Sequence, residues 1–279
     1  MIHQLPLEVR FLKRFARHLH EAGVPAHHFE RMLTALADKL GLNCQALSSP
    51  TSIFLSFQFQ DDEDDSRPIP NQLERVNPPG INLGNTAALY QMGNSLLDDQ
   101  ISTEQAYSSL RDWQPEQLYP LWLQIICWGL TGGTVAVMLS ASWAGIATAA
   151  MSGALLGILV TQAGEAMRQG GLEAIAALLS TFLVFAVNQL VPGLDVYVVI
   201  MSSLIVLIPG LGLTTAVTEL STDHLASGSA RLAGALVTLL KLSLGVLIGT
   251  VVVGWFGWSS DIESMLTLAT PPDWFRWPA

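Results

Sequence analysis

Charge is scarce in this sequence: 13% of its residues are Asp, Glu, Lys or Arg, about half the share usual in a water-soluble domain. The basic sign is the scarcer, 13 against 23 acids, which leaves a net charge of −10. That excludes a nucleic-acid binder, which needs clustered basic residues to meet phosphates. Cysteine is nearly absent. Cys44 and Cys127 form no CxxC pair, so no disulfide framework is expected. Catalytic signatures are missing as well. There is no P-loop with its lysine, no GxSxG and no HExxH, so neither an ATP-driven pump nor an enzyme is expected. His18 and His20 stand two apart on a helical stretch and point to different sides, and His27 and His28 add no ligand spacing. No metal or cofactor is expected. Residues 1–60 carry charges every few positions and no early apolar core. A cleavable signal peptide is therefore not expected, and the first apolar span doubles as the targeting signal.

Apolar residues are abundant, 50% of the chain, and unevenly spread. Fifteen of the 23 acids and nine of the 13 basic residues precede Tyr119, and from Leu121 on the chain is almost continuously apolar. One chain thus meets two solvents. The expected organisation is a cytoplasmic α+β domain over residues 1–115, a five-helix transmembrane domain over 116–257 and an extracytoplasmic tail over 258–279. The fold class is an α-helical integral membrane bundle behind a small α+β domain.

Five spans are expected: Pro120–Ser140, Ala144–Ala163, Leu172–Val191, Val196–Val217 and Arg231–Trp255. Each approaches the ~20 residues that cross a ~30 Å hydrocarbon core. Trp113, Tyr119, Trp122, Trp143, Tyr197, Trp255 and Trp258 fall near span ends, as interfacial anchors do. With the N-terminal domain inside, the loops holding Arg168 and Arg231 are also inside, and the short loops at Trp143 and Asp195 are outside without Lys or Arg. Arg276 is the one basic residue of the outer tail. The positive-inside rule prefers this orientation. Gly145, Ala149, Gly153 and Gly157 share one face of the second span, and Gly245 and Gly249 one face of the fifth. Such faces let helix backbones approach closely, though glycine is common in membrane helices anyway.

In the soluble part, Glu8–Glu21 and His27–Leu40 read as helices, with Pro25 placed to start the second and Gly41 ending it. Residues 52–59, Ser-Ile-Phe-Leu-Ser-Phe-Gln-Phe, read as a strand, with Gln72–Val76 as its hairpin partner across the acidic loop Asp61–Asp65. That acidic run reads as a solvated loop. Asn82–Leu97 and Thr103–Leu110 return to helical spacing.

Three features of the membrane part carry candidate chemistry. The first is Leu207-Ile208-Pro209-Gly210-Leu211-Gly212-Leu213-Thr214-Thr215. Proline removes a backbone donor and glycine loosens the helix. In lipid such a break is a kink filled by neighbours, or it lines a cavity and binds a ligand, as discontinuous transporter helices do. Thr214 and Thr215 place hydroxyls beyond it. The second is Lys241, about ten residues into the fifth span on the face of Gly234, Thr238, Gly245 and Gly249. A charge at mid-membrane costs at least ~2.5 kcal/mol, so it serves substrate or proton coupling, pairs with an acid, or snorkels. The third is the segment from Glu219 to Arg231 with Asp223 and His224, either an exposed loop or a gate.

At this segment a family likeness emerges. Ile208-Pro209-Gly210, Ala216-Val217, Glu219, His224, Gly228 and Ala230-Arg231 resemble the threonine/serine exporter (ThrE) family, most closely its YjjP-type subunit. Ala22-Gly23, Phe29-Glu30, Leu40-Gly41-Leu42, the run Ser49 to Leu55, Arg75-Val76 and Ile81-Asn82-Leu83 resemble the family's cytoplasmic domain. The likeness implies secondary export of threonine, serine or a dicarboxylate across the bacterial inner membrane. It also implies an oligomeric assembly in the lipid bilayer with a YjjB-type small multi-span subunit, because the second, smaller module of full-length family members is not in this chain. Two positions depart from the family pattern: Glu219 stands where Asp is usual, and Thr215 where Asn is frequent. In that reading Pro209, Gly210, Gly212, Thr214, Thr215 and Lys241 line the pathway, and Glu219, His224 and Arg231 gate it or couple protons. The rival reading is a non-transporting membrane scaffold or sensor with a cytoplasmic regulatory domain.

Overall fold

The computed structural model describes residues 5–61, 69, 71–77, 80–113, 119–164 and 170–258. Residues 62–65 of the acidic run, Arg168 and the tail from 259 with Arg276 lie outside the described residues. Contacts divide the chain into two compact units: residues 1–116 with 211–233, and 117–210 with 234–279. Beside the expected division at residue 115, the segment Leu211–Ala233 groups with the N-terminal unit.

The first unit opens with helices α1 (Leu7–Glu21) and α2 (Ala26–Lys39), preceded by Pro6 and Pro25, where a missing N–H costs no helical bond. On α1, Val9, Phe11, Leu12, Phe15, Ala16 and Leu19 are buried at helical spacing, and they meet Phe29, Leu33 and Leu36 of α2 in one core. The turn between the helices needs Gly23: its φ is +81°, and a Cβ there would lie 2.7 Å from the Gly80 carbonyl oxygen.

An antiparallel sheet follows, in the order β1 (Leu42–Ser49), β2 (Ser52–Phe59), β3 (Gln72–Arg75). Ile53, Leu55 and Phe57 of β2 alternate into the core. The expected partner strand appears, with Ser52 opposite Arg75 and Leu55 opposite Gln72. Strand β1 has no counterpart in the sequence reading. Its residues, Leu-Asn-Cys-Gln-Ala-Leu-Ser-Ser, have little intrinsic strand preference; pairing with β2 from Leu42–Phe59 to Ser49–Ser52 imposes it. Burial lifts the Cys44 thiol on this strand to a pKa of about 11, with Asp38 adding to the shift. Helices α3 (Leu83–Leu97) and α4 (Thr103–Arg111) complete this part, the latter opened by a Ser102–Gln105 capping box.

Four helices, α5 (Leu121–Met138), α6 (Trp143–Gln162) and α7 (Leu172–Leu190) of the second unit and the long α10 (Leu225–Trp255), are each long and apolar enough to cross a membrane. A fifth span exists if α8 (Val196–Leu204), its 3-10 extension Ile205–Leu207 and α9 (Gly210–Ser221) are taken as one broken helix. Trp122, Trp143, Tyr197 and Trp255 are exposed at or beside helix ends. The protein is a multi-span membrane protein. The expected fourth span over 196–217 is broken at Pro209, the position at which the sequence places the break. Pro209 cannot donate the i→i−4 bond and disfavours helical geometry at Ile208, whose ψ is 123°.

The small-residue face of α6 packs on α5. A Cβ on Gly153 would lie 2.8 Å from the Trp128 carbonyl oxygen, and one on Gly132 the same distance from that of Ala149. The two backbones touch, which is what the four-residue spacing permits. A chain of hydroxyls ties α6, α7 and α8: Ser152 to Ser180 at 3.0 Å and Ser180 to Ser203 at 2.8 Å, all buried. Ser180 is the shared member. Ser180→Ala is therefore expected to cost about 1 kcal/mol, and Ser152→Ala about half that, read as unfolding free energy in detergent.

Candidate functional site

The chain reverses between α9 and α10 at Thr222-Asp223-His224. Asp223 adopts φ +63°, and the His224 amide donates to the Glu219 carbonyl at 2.9 Å. Gly228 lets the two helices close, since a Cβ there would lie 3.0 Å from the Ala216 carbonyl oxygen. Glu219 is fully buried. Its carboxylate accepts from Ser227 Oγ at 2.9 Å and from Arg231 Nε and Nη2, both at 3.2 Å. The fourth donor is the Ala26 amide at 3.0 Å. That N–H lies in the first turn of α2, where no intrahelical acceptor exists and the helix dipole favours an anion. One carboxylate thus joins α9, α10 and α2. Burying a charge is costly unless it is paired and hydrogen-bonded, and Glu219 is both.

Histidines surround the pair. His224 Nε2 lies 3.1 Å from Glu30 Oε2, and its Nδ1 lies 3.1 Å from Thr222 Oγ1. The His27 ring is 4.2 Å from that of His28 and 6.1 Å from that of His224. Its Nδ1 is buried without a hydrogen-bond partner. Burial, then the neighbouring His28, His224 and Arg31, hold the His27 pKa below the ordinary imidazole value. Among the described residues, no group of three or more His, Cys, Asp or Glu side chains is placed to hold a metal ion.

Of the candidate residues, the structure brings Glu219, His224 and Arg231 together. Ala26, Glu30 and Ser227 complete the cluster; Glu30 stands in the Phe29-Glu30 motif of the family likeness, whereas Ala26 and Ser227 carry no sequence motif, and the contact between Ala26 and Glu219 spans 193 residues. At the helix break, the Gly210 amide donates to the Ile208 carbonyl at 2.8 Å, and a Cβ on Gly210 would meet nothing within 4 Å. Thr214 Oγ1 donates to the Leu211 carbonyl at 3.0 Å, while Gly212 and Thr215 are half-buried on the same helix.

Lys241 stands elsewhere than at mid-span. Its Nζ lies 3.4 Å from Glu173 Oε2 in the first turn of α7, so it is level with the end of that helix. The reason is the length of α10. It begins at Leu225, and its residues to Ala233 belong to the first unit. The remainder from Gly234 is about 33 Å at 1.5 Å per residue, with Lys241 near its start. The proposed face is also only partly a packing face: Gly245 and Gly249 meet Ala174 and Thr181 of α7, whereas nothing approaches Gly234. An apolar groove of about 560 Å³ runs between α6 and α7, with Ser152, Ser180 and Gln162 as its polar lining.

The chain is 24% identical over 273 residues to pheromone-regulated membrane protein 10 of Zygosaccharomyces rouxii, covering 96% of this chain and 27% of that protein. It is 23% identical over 252 residues to the protein of the same name in Debaryomyces hansenii, covering 88% and 24%. An uncharacterized protein of Schizosaccharomyces pombe is 21% identical over 281 residues, covering 95% and 35%. The chain therefore spans about a quarter to a third of the length of the curated relatives it matches. No solved structure matches it. The family model described as "Putative threonine/serine exporter" matches residues 10–253, across both compact units, and the chain belongs to this ThrE family.

Proposed function

We propose that the protein is a subunit of a secondary transporter that exports threonine, serine or a related small carboxylate across a bacterial inner membrane. The observation that carries this is the family match over residues 10–253 of a multi-span membrane chain. In this reading the N-terminal unit faces the cytoplasm, as the basic residues favour, and a YjjB-type subunit completes the assembly. No covalent chemistry is asked of the chain.

The site follows from the broken helix. At Pro209–Gly210 the ladder of backbone bonds is interrupted, and α9 starts there, with the positive end of its dipole at the break. A substrate carboxylate is matched to such a start, with Gly212, Thr214 and Thr215 offering backbone and hydroxyl contacts. Glu219 and Arg231 latch the helical hairpin and act as the gate, with His224 beside them. Lys241, paired with Glu173, sets the charge at one end of the membrane unit.

The test is export from intact cells loaded with threonine, serine or succinate, with and without the YjjB-type subunit. Export above the empty-vector rate is expected, with at least a tenfold loss in Pro209→Ala at unchanged protein level. Absence of export of all three, with the partner present and both chains in the membrane, would overturn the reading and favour a non-transporting scaffold or sensor.

A further inference from the structure

Basic residues are few in this chain, yet four share one face of α1: Arg10, Lys13, Arg14 and Arg17. Together with Glu74 of β3 and Tyr107 of α4 they line an open cleft of about 310 Å³. Two of the four are neutralised. Lys13 pairs with Glu74 at 2.9 Å, and Arg17 with Glu21 at 2.9 Å. Arg10 and Arg14 have no carboxylate partner among the described residues. Their guanidinium carbons lie 5.5 and 5.1 Å from the centroid of the Tyr107 ring. Arg14 Nη1 is buried and makes no hydrogen bond.

Folding accounts for only part of this arrangement: the Tyr107 ring attracts both guanidiniums but offers no oxygen to accept from them. Like charges four apart on a helix repel, and a buried guanidinium N–H without an acceptor forfeits its hydration. The acids are numerous elsewhere: the chain carries a net charge of −10, and none of the described ones reaches these two arginines. An anion held between them supplies the missing acceptors. Two forked guanidiniums, ordered against one aromatic ring, match the tetrahedral oxygens of a phosphate and bind it through paired charge-assisted bonds. We infer that this cleft is a binding site for a phosphate-bearing ligand of small-metabolite size. Arg10 and Arg14 are its donors, Tyr107 is the platform that fixes them, and Glu74 is the charge that limits affinity. The inference is independent of which substrate the membrane unit moves.

The experiment is calorimetric titration of the full chain in detergent with pyrophosphate, with citrate as the carboxylate comparator. A second arm uses the chain in nanodiscs of phosphatidylcholine with and without phosphatidic acid. Saturable pyrophosphate binding that weakens with added salt is expected. Arg14→Gln and the exposed Arg10→Gln should each weaken it about tenfold. Glu74→Gln should tighten it up to about fivefold, a gain that a merely structural role for these residues does not produce. Binding seen only with phosphatidic acid, and lost in the same variants, supports the site and assigns the phosphate to a lipid headgroup. The inference is overturned by no binding in either arm, by binding unchanged in Arg10→Gln and Glu74→Gln, or by citrate binding as tightly as pyrophosphate.

Discussion

Arg231→Met is expected to cost about 3–5 kcal/mol of stability, the usual loss when one partner of a buried ion pair is removed. Glu219 is fully buried, and the Arg231 side chain is 14% exposed, so solvent screens the pair little. Methionine fills much of the arginine's volume, yet it leaves the carboxylate with only the Ser227 hydroxyl and the Ala26 amide as donors. The measurement is thermal unfolding in detergent, with proteolysis of the 210–233 hairpin as a local readout. Glu219→Gln should cost less, since the amide oxygen still accepts from Ala26. The double variant Glu219→Leu with Arg231→Met separates structure from function. A buried pair can be replaced by apolar side chains with little loss, so its stability should return to within about 1 kcal/mol of the parent. Its export should not return if the pair is a gate that opens and recloses. A stable double variant exporting at the parent rate would assign the pair to folding alone.

Length and periodicity made much of the architecture legible. A ~20-residue apolar run has few options other than crossing a bilayer, and α1 to α4 announce themselves by spacing and caps. Strand β1 was not legible because its residues owe their extended form to the neighbouring β2 rather than to their own preference. The break at Pro209 was visible, but its consequence was not. That Leu211–Ala233 sides with the N-terminal unit rests on long-range contacts such as the bonds from Ala26 to Glu219 and between Glu30 and His224, which join positions 193 and 194 apart. The sequence offers Glu219 and Arg231 as members of a loop or a gate; their pairing requires the reversal at Asp223, a non-glycine residue at positive φ that no motif signals. Lys241 was misplaced for a related reason. Hydropathy fixes where an apolar stretch lies, not how far a helix continues beyond it, and α10 extends six residues before Arg231.

The same limit decides the second large effect. Gly234 and Gly245 lie on one helix, and sequence assigns them to one face, yet substitution at the two is expected to act with opposite sign. At Gly245 a Cβ would collide with the Ala174 carbonyl oxygen and come within 2.7 Å of the Ala177 Cβ. The obstacle is the backbone of α7, which cannot rotate aside as a side chain can. Gly245→Val must push α7 and α10 apart, and with them the contact of Gly249 on Thr181 and the ion pair of Lys241 with Glu173. Overpacking of this kind costs about 3 kcal/mol, here with little room to relax. A Cβ on Gly234 would meet nothing within 4 Å outside its own helix backbone, and its φ is outside the left-handed region. Gly234→Ala there only restricts the unfolded chain and improves helix preference, a gain of about 0.5–1 kcal/mol. Unfolding temperatures in one detergent compare the two directly. Opposite shifts identify α7 as the surface that the Gly245–Gly249 face was selected to meet; a loss in both would mean that the whole face, Gly234 included, is buried against a partner.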